Sequence, residues 1–344
     1  MLSEPGPGGP SKPTGRRMAR IFRSIGRLTI CAFFALLWLW CIGAIFYSNI
    51  SIPFVRMILA LAFGAGALLL RFFVPDWKRA IGCFLSASLG VVLCWLSIKP
   101  SNAREWSRDQ AVLARAEVDG EQVTVRNVRN CSYHTPQDYH VAHYDRTFDL
   151  GALESVWFVV EPFDGTPGAA HTFLSFGFKG GQYVAVSVEI RKEKGESYSP
   201  IKALFKQYEL MYVIGDENDL IKLRTNYRND TVYLYPIRAR AGARRALFLD
   251  IMTAANRLAE NPEFYHTLWN TCTTRIVDHV DKLFPGKVPF SFKVLFPARA
   301  DRLAYDLGLI DTELSFDEVR RRFHINDRAR QFADSPDFST KIRQ

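Results

Sequence analysis

Three apolar runs in the first hundred residues set the strongest limit on what this chain can fold into. Residues 28–47, 57–70 (extended through Phe72 to Val74) and 80–98 each approach the roughly 20 residues a helix needs to cross a bilayer. No small-residue cleavage site of the usual kind follows the first run, which reads as an uncleaved anchor rather than a removed signal peptide. The second run is the weakest, because Arg56 and Arg71 flank it. Their long side chains can nevertheless snorkel to the interfaces, and Gly64 and Gly66 suit close approach of a neighbouring helix. Trp77 and Trp95 sit near the ends of the third run, where interfacial aromatics belong. The expected organisation is a disordered basic arm (1–27), an anchor with spans of about 28–47, 55–74 and 80–98, and a folded unit over 99–344.

Charge supports this division. The formal net charge is +9, which by itself suggests a nucleic-acid binder. Residues 1–98 hold ten Lys or Arg against Glu4 and Asp76, a net +8, which leaves 34 against 33 for the remainder. The basicity thus flanks the membrane runs, and nucleic acid is not an expected partner. The N-terminal flank carries Lys12, Arg16, Arg17, Arg20, Arg23 and Arg27, the first turn only Arg56, and the second Arg71, Lys78 and Arg79. The positive-inside rule then puts the N-terminus in the cytoplasm and everything after Ile98 outside, which for a bacterial inner membrane is the periplasm.

From Ser101 onward the pattern is mixed α+β, with strands in a block before helices. Strands are expected at 121–127, 156–160, 169–178, 183–191, 208–214, 220–223 and 231–237, helices at 243–260, 272–284 and 315–322, and then a polar tail. Along 169–178 the alternation puts His171, Phe173 and Ser175 on one face and Thr172, Leu174 and Phe176 on the other. If Lys179-Gly180-Gly181 is a three-residue hairpin loop, Phe178 pairs with Gln182 and His171 falls opposite Glu189. A carboxylate there can orient the imidazole; a surface ion pair with Arg191 is the plainer alternative.

Of the six cysteines, Cys31, Cys41, Cys83 and Cys94 lie in apolar runs and read as small hydrophobes. Cys131 and Cys272 remain, too few for a disulfide framework. Cys272 opens a helix, where the dipole and unpaired N–H groups favour a thiolate. With His171 it would make a thiol–imidazole pair for acyl transfer, although a buried cysteine and a core histidine explain the same residues. Asn270 and Thr273 are candidates for holding an oxyanion or positioning substrate. His279 lies two turns beyond Cys272, about 10.5 Å of rise, and reads as structural. His134, His140 and His143 with Asp138 and Asp145 match no metal-ligand spacing, so neither a metal nor a cofactor is expected.

Several stretches together carry a likeness: Asn127-Val128-Arg129-Asn130, Tyr144-Asp145-Arg146-Thr147-Phe148-Asp149, Ala170-His171-Thr172-Phe173-Leu174-Ser175-Phe176, Ser187-Val188-Glu189-Ile190-Arg191, Leu223-Arg224-Thr225-Asn226-Tyr227-Arg228 and Asn270-Thr271-Cys272-Thr273-Thr274. The chain resembles, from about residue 120 to its tail, the periplasmic-domain family typified by the Bacteroides-type lipoprotein N-acyltransferase, Lnb. The resemblance implies a papain-like thiol fold in permuted order, the histidine strand before the cysteine helix. It also implies that Cys272 is the nucleophile, His171 the base and Glu189 the orienting carboxylate. A phospholipid would be the acyl donor and the amine of a lipoprotein the acceptor. Two rival readings remain at this level: a cysteine peptidase or amidase acting on the cell envelope, and a non-enzymatic envelope scaffold.

Overall fold

The computed structural model describes residues 15–289, 294 and 297–344. The disorder expected of the first residues lies outside that range, as does the snorkelling expected of the Arg71 side chain. The chain divides into two units, 1–99 and 100–344.

The described residues of the first unit form three helices, α1 (Gly15–Phe46), α2 (Pro53–Phe73) and α3 (Trp77–Ser97). By length and composition each is apolar and long enough to cross a membrane. The expected arm is partly helical, since α1 starts at Gly15 and takes in Arg16 to Arg27 before its apolar stretch. Gly64 does serve close packing: a Cβ there would lie 3.1 Å from Ile42, and its carbonyl accepts from Trp38 Nε1 at 3.2 Å. Gly66 has nothing within 4 Å and plays no such part.

The second unit is α+β. Among the described residues ten strands run β1 (Arg115–Asp119), β2 (Gln122–Arg129), β3 (Ser132–Tyr133), β4 (Tyr139–His140), β5 (His143–Asp149), β6 (Leu153–Pro162), β7 (Ala170–Phe178), β8 (Gln182–Arg191), β9 (Glu209–Gly215) and β10 (Tyr233–Pro236). Eight form one sheet in the order β1-β2-β9-β8-β7-β6-β10, with β5 on β2, and β3 and β4 form a separate ribbon.

Because side chains alternate across a strand, the sheet presents two apolar faces, and each has its own cover. Val160, Leu174, Val186 and Tyr212 pack with α5 (Ala241–Glu260) and α6 (Cys272–Leu283). Val159, Phe173, Ala185 and Val213 pack instead with α4 (Glu217–Lys222) and the C-terminal segment. Two expectations fail here. Residues 220–223 are helical, because Leu220 and Ile221 bury side by side against the second face as a helix allows. The tail is not merely polar: Phe338 and Ile342 complete that second core. Arg343 then lies 3.8 Å from the Tyr183 ring and donates to buried Glu217.

Candidate functional site

The hairpin between β7 and β8 fixes the register on which the site depends. Gly180 and Gly181 turn at φ of +79° and +74°, a region that glycine alone enters freely. Phe178 therefore pairs with Gln182, and the ladder runs up to Phe173 opposite Ser187. There it ends. β7 continues along β6 as far as Ala170 opposite Pro162, while β8 continues along β9 to Arg191 opposite Glu209. Two central strands that keep their outer neighbours but lose each other leave a split in the sheet, and a cavity of about 490 Å³ is lined by residues from both sides of it.

On one face of the split, three adjacent strands carry an acid, an imidazole and an acid. Glu161 on β6 is the ladder partner of His171 on β7, and Glu189 on β8 lies on His171's other side. His171 Nε2 is 2.6 Å from Ser187 Oγ, and that hydroxyl donates to Glu189 Oε1 at 2.9 Å. The serine has one proton and gives it to the carboxylate, so His171 must donate from Nε2 and carry its lone pair on Nδ1. The ladder pairing of His171 with Glu189 expected from the hairpin is absent, because β7 and β8 part beyond Phe173 and Ser187; the two side chains still approach to 3.7 Å, linked through the Ser187 hydroxyl.

Arg224 closes this row from above. Its Nε donates to Glu161 Oε2 at 2.7 Å, one Nη to Glu189 Oε1 at 3.0 Å, and the other to the Leu220 carbonyl at 2.7 Å. It sits on a π-helical stretch, Leu223–Arg228, of the kind often found at functional sites. Asn229 ends that stretch in the left-handed region, which asparagine tolerates. Arg228, partly exposed, approaches Glu161 Oε1 at 3.9 Å. Arg191, the surface partner considered for Glu189, instead donates to the carbonyls of Gln110 and Ala111.

Burial and these charges push the three groups apart. Burial, then Arg224, hold the His171 pKa down to about 3, so the ring is neutral. Burial works against the Glu189 charge, but Arg224 and then His171 outweigh it and keep the carboxyl well below its usual range. For Glu161 burial prevails over Arg224, with Asp230 adding to it, and its pKa rises from 4.5 to about 7. Folded Glu161 thus holds its proton more tightly than the unfolded chain does. Its contribution to stability is fully present below pH 4.5 and is lost as pH rises through about 7. His171 acts oppositely below pH 6.5, where the unfolded chain binds the proton that the fold refuses. Glu161→Gln should therefore make stability fall less between pH 5 and 8 than in the parent, as measured by denaturant melts across that range.

On the other face, Cys272 is the first residue of α6. Thr271 caps the helix in a reciprocal box with Thr274, through bonds of 3.2 and 2.8 Å. Thr273 Oγ1 meets Thr172 Oγ1 at 2.9 Å, and Cys272 Sγ lies 3.9 Å from Thr273 Oγ1. Burial pushes the Cys272 thiol up, and hydrogen bonding from Thr172 and Thr273 only partly opposes it. The helix start alone does not leave a resting thiolate. Asn270 is turned to the loop: its Nδ2 donates to the Phe264 carbonyl at 2.7 Å and its Oδ1 accepts from Arg275 at 2.6 Å.

Cys272 thus packs against the face of β7 that carries Thr172, while His171 points to the other face. Both line the one cavity, together with Glu161, Glu189 and Arg224, and apolar walls from Val188, Tyr198 and Tyr265. Among the described residues no hydrogen bond joins the Cys272 sulfur to His171. His279 is structural as expected, hydrogen bonded at 2.7 Å to both Tyr212 and Asp250. Cys131 is remote in chemistry: burial and then Asp219 push its thiol up to about 12.

The family profile described as the Lnb N-terminal periplasmic domain matches residues 140–298, a span that includes His171, Glu189, Arg224 and Cys272. The chain carries an Lnb-family domain. Three apolar helices ahead of an Lnb periplasmic domain fit a membrane protein whose C-terminal unit is periplasmic. No curated protein and no solved structure matches the chain. Sequence reasoning missed Glu161, Ser187 and Arg224 as members of the site. The signal for Glu161 was an acid directly following an apolar strand, and Ser187 and Arg224 stood inside stretches already carrying the Lnb likeness.

Proposed function

We propose that this chain is a membrane-anchored thiol acyltransferase of the bacterial inner membrane, its N-terminus cytoplasmic. In this reading the second unit is a permuted papain-like domain. Cys272 Sγ attacks the ester carbonyl of a phospholipid while His171 Nδ1 takes the thiol proton. N–H groups at the start of α6 hold the oxyanion, with Thr273 keeping the helix start against Thr172. The ester C–O bond then breaks, the lysophospholipid oxygen takes the proton back from His171, and a Cys272 thioester remains. An amine, in the resembled activity the N-terminus of a lipoprotein, attacks that thioester and gives its proton to His171; the C–S bond breaks, the Cys272 sulfur takes that proton from His171, and the product leaves as the amide.

The observation that carries this reading is the shared cavity. A cysteine at a helix start and a neutral histidine held by a serine and a carboxylate open onto one space with apolar walls. Neutral His171 is in the protonation state a base needs. Intact mass spectrometry of the protein incubated with labelled phospholipid should show one fatty acyl mass on Cys272, removed by an added amine. A chain that stays unmodified, or one that acylates elsewhere, rejects the reading.

A further inference from the structure

Large apolar side chains are exposed at few places among the described residues of the second unit, and three of them line the cavity while two more neighbour its lining residues in sequence. Among the described residues there, those exposed are Val112, Val118, Phe163, Tyr198, Ile201, Leu268, Trp269, Phe284 and Leu314. Phe163, Tyr198 and Leu268 line the cavity itself; Ile201 and Trp269 adjoin its lining residues Pro200 and Leu268. They come from three separate loops, after β6, after β8 and before α6. Thr267 Oγ1 donates to the Pro200 carbonyl at 2.6 Å, which ties two of these loops into one surface. Trp269, 65% exposed, is held there by its stack on His266 at 3.5 Å rather than left to fold inward.

Exposed apolar side chains scattered singly need no explanation, but a contiguous group around a cavity does. Two features choose the occupant. The first is charge. The loop following β8 bears Lys192, Lys194, Lys202 and Lys206 against Glu193 and Glu196, and Glu193 is already paired with Arg104. Aromatic and aliphatic tips beside lysines are the composition of a surface that inserts shallowly at an anionic lipid interface. The second is the chain itself: α3 ends at Ser97, and Trp106 already bridges to Glu193 within the second unit. A helix apolar enough to cross a membrane is thus joined to this unit by only a few residues.

We propose that this rim is a membrane-contact surface: Leu268, Trp269 and Ile201 enter the headgroup region of a phospholipid bilayer, with the lysines against its anionic groups. The cavity mouth then opens into lipid, and an amphiphile reaches the cavity without crossing water. Lipid contact itself does not require the acyltransferase reading; the role it gives the cavity rests on it.

Benzoylphenylalanine in place of Ile201, which is exposed on the rim and does not line the cavity, tests this in the full chain carrying Cys272→Ser, reconstituted in vesicles of phosphatidylethanolamine and phosphatidylglycerol. The same probe replaces exposed Val118 on β1 as the control. Illumination should add a phospholipid mass at position 201 and none at 118. A protein adduct at 201 would make the rim a protein-docking site, no adduct would leave it facing water, and equal lipid labelling at both positions would make the contact unspecific; each outcome overturns the proposal. Since the variant has no thiol at 272, a failed acyltransferase reading would not alter the cross-link.

Discussion

Arg224→Met should destabilise the second unit by about 3–5 kcal/mol, the usual cost of removing one member of a buried ionic cluster. The guanidinium is the common partner of Glu161 and Glu189, which lie on strands either side of β7, and only 4% of its side chain is exposed. Methionine keeps much of the volume and the contact over the Phe173 ring, where Arg224 now sits at 4.8 Å. It removes the charge that keeps Glu189 ionised despite its burial. Glu189 would then rise toward protonation, and Ser187 would lose the charged acceptor that sets the His171 tautomer. Thermal melts of the detergent-solubilised chain should show a drop on the order of 10 °C for a loss of this size in a unit of this length. A double variant, Arg224→Met with Glu161→Gln, should recover part of the loss only above the Glu161 pKa, already raised to about 7, because below it the carboxyl holds its proton and is no stranded charge. A single variant as stable as the parent would mean that the carboxylates find water or other cations, and that the row is not a buried cluster.

What the sequence made legible follows the range of the interaction involved. Strand positions, the hairpin loop and the pairing of Phe178 with Gln182 rest on alternation and turn chemistry within about twenty residues, and the structure agrees. Helix α6 begins at Cys272, as its amphipathic spacing predicts. The stretch 220–223 misled because Leu-Ile-Lys-Leu has no period in four residues; its helical state is set by which face of the sheet Leu220 and Ile221 must cover. The tail misled for a similar reason, since Phe338 and Ile342 are two apolar residues in a polar stretch whose burial depends on the open face of a distant sheet. In the site, His171, Glu189 and Cys272 stood out as residue types in patterned elements. Arg224 and Glu161 did not, because a buried arginine looks like any surface arginine until two strands bring carboxylates to it. The split beyond Phe173 and Ser187 was not readable either: alternation continues through both strands, and only their outer partners pull them apart.

Cys272→Ser should abolish acylation from a phospholipid, leaving less than about one part in a thousand of the parent rate, since an alcohol here lacks the nucleophilicity of sulfur and any strong adjacent base. His171→Ala should lower the rate by about 10²–10⁴, the usual worth of a positioned proton acceptor. The informative comparison is Ser187→Ala. Removing this hydroxyl leaves His171 and Glu189 in place at 3.7 Å but breaks the link that orients the ring. If Nδ1 is the base, the variant should acylate more slowly by a smaller factor than His171→Ala, and Glu189 should partly restore the ring by accepting from Nε2 directly. Its pH–rate profile should shift upward on the acid side, because a His171 ring relieved of its fixed donor geometry charges more easily beside Glu189. Acyl-enzyme mass measured against time across pH 5–9 reads all three variants. Equal rates for Ser187→Ala and the parent would show that ring orientation is set elsewhere, and unchanged rates for His171→Ala would remove the imidazole from the chemistry altogether. A thiol and an imidazole on opposite faces of a sheet can act together only where the sheet is open, so substitutions at the split must outweigh those along the intact ladder. Leu174→Ala, two positions into paired β7, should cost stability rather than rate, by about 2–5 kcal/mol for a buried leucine.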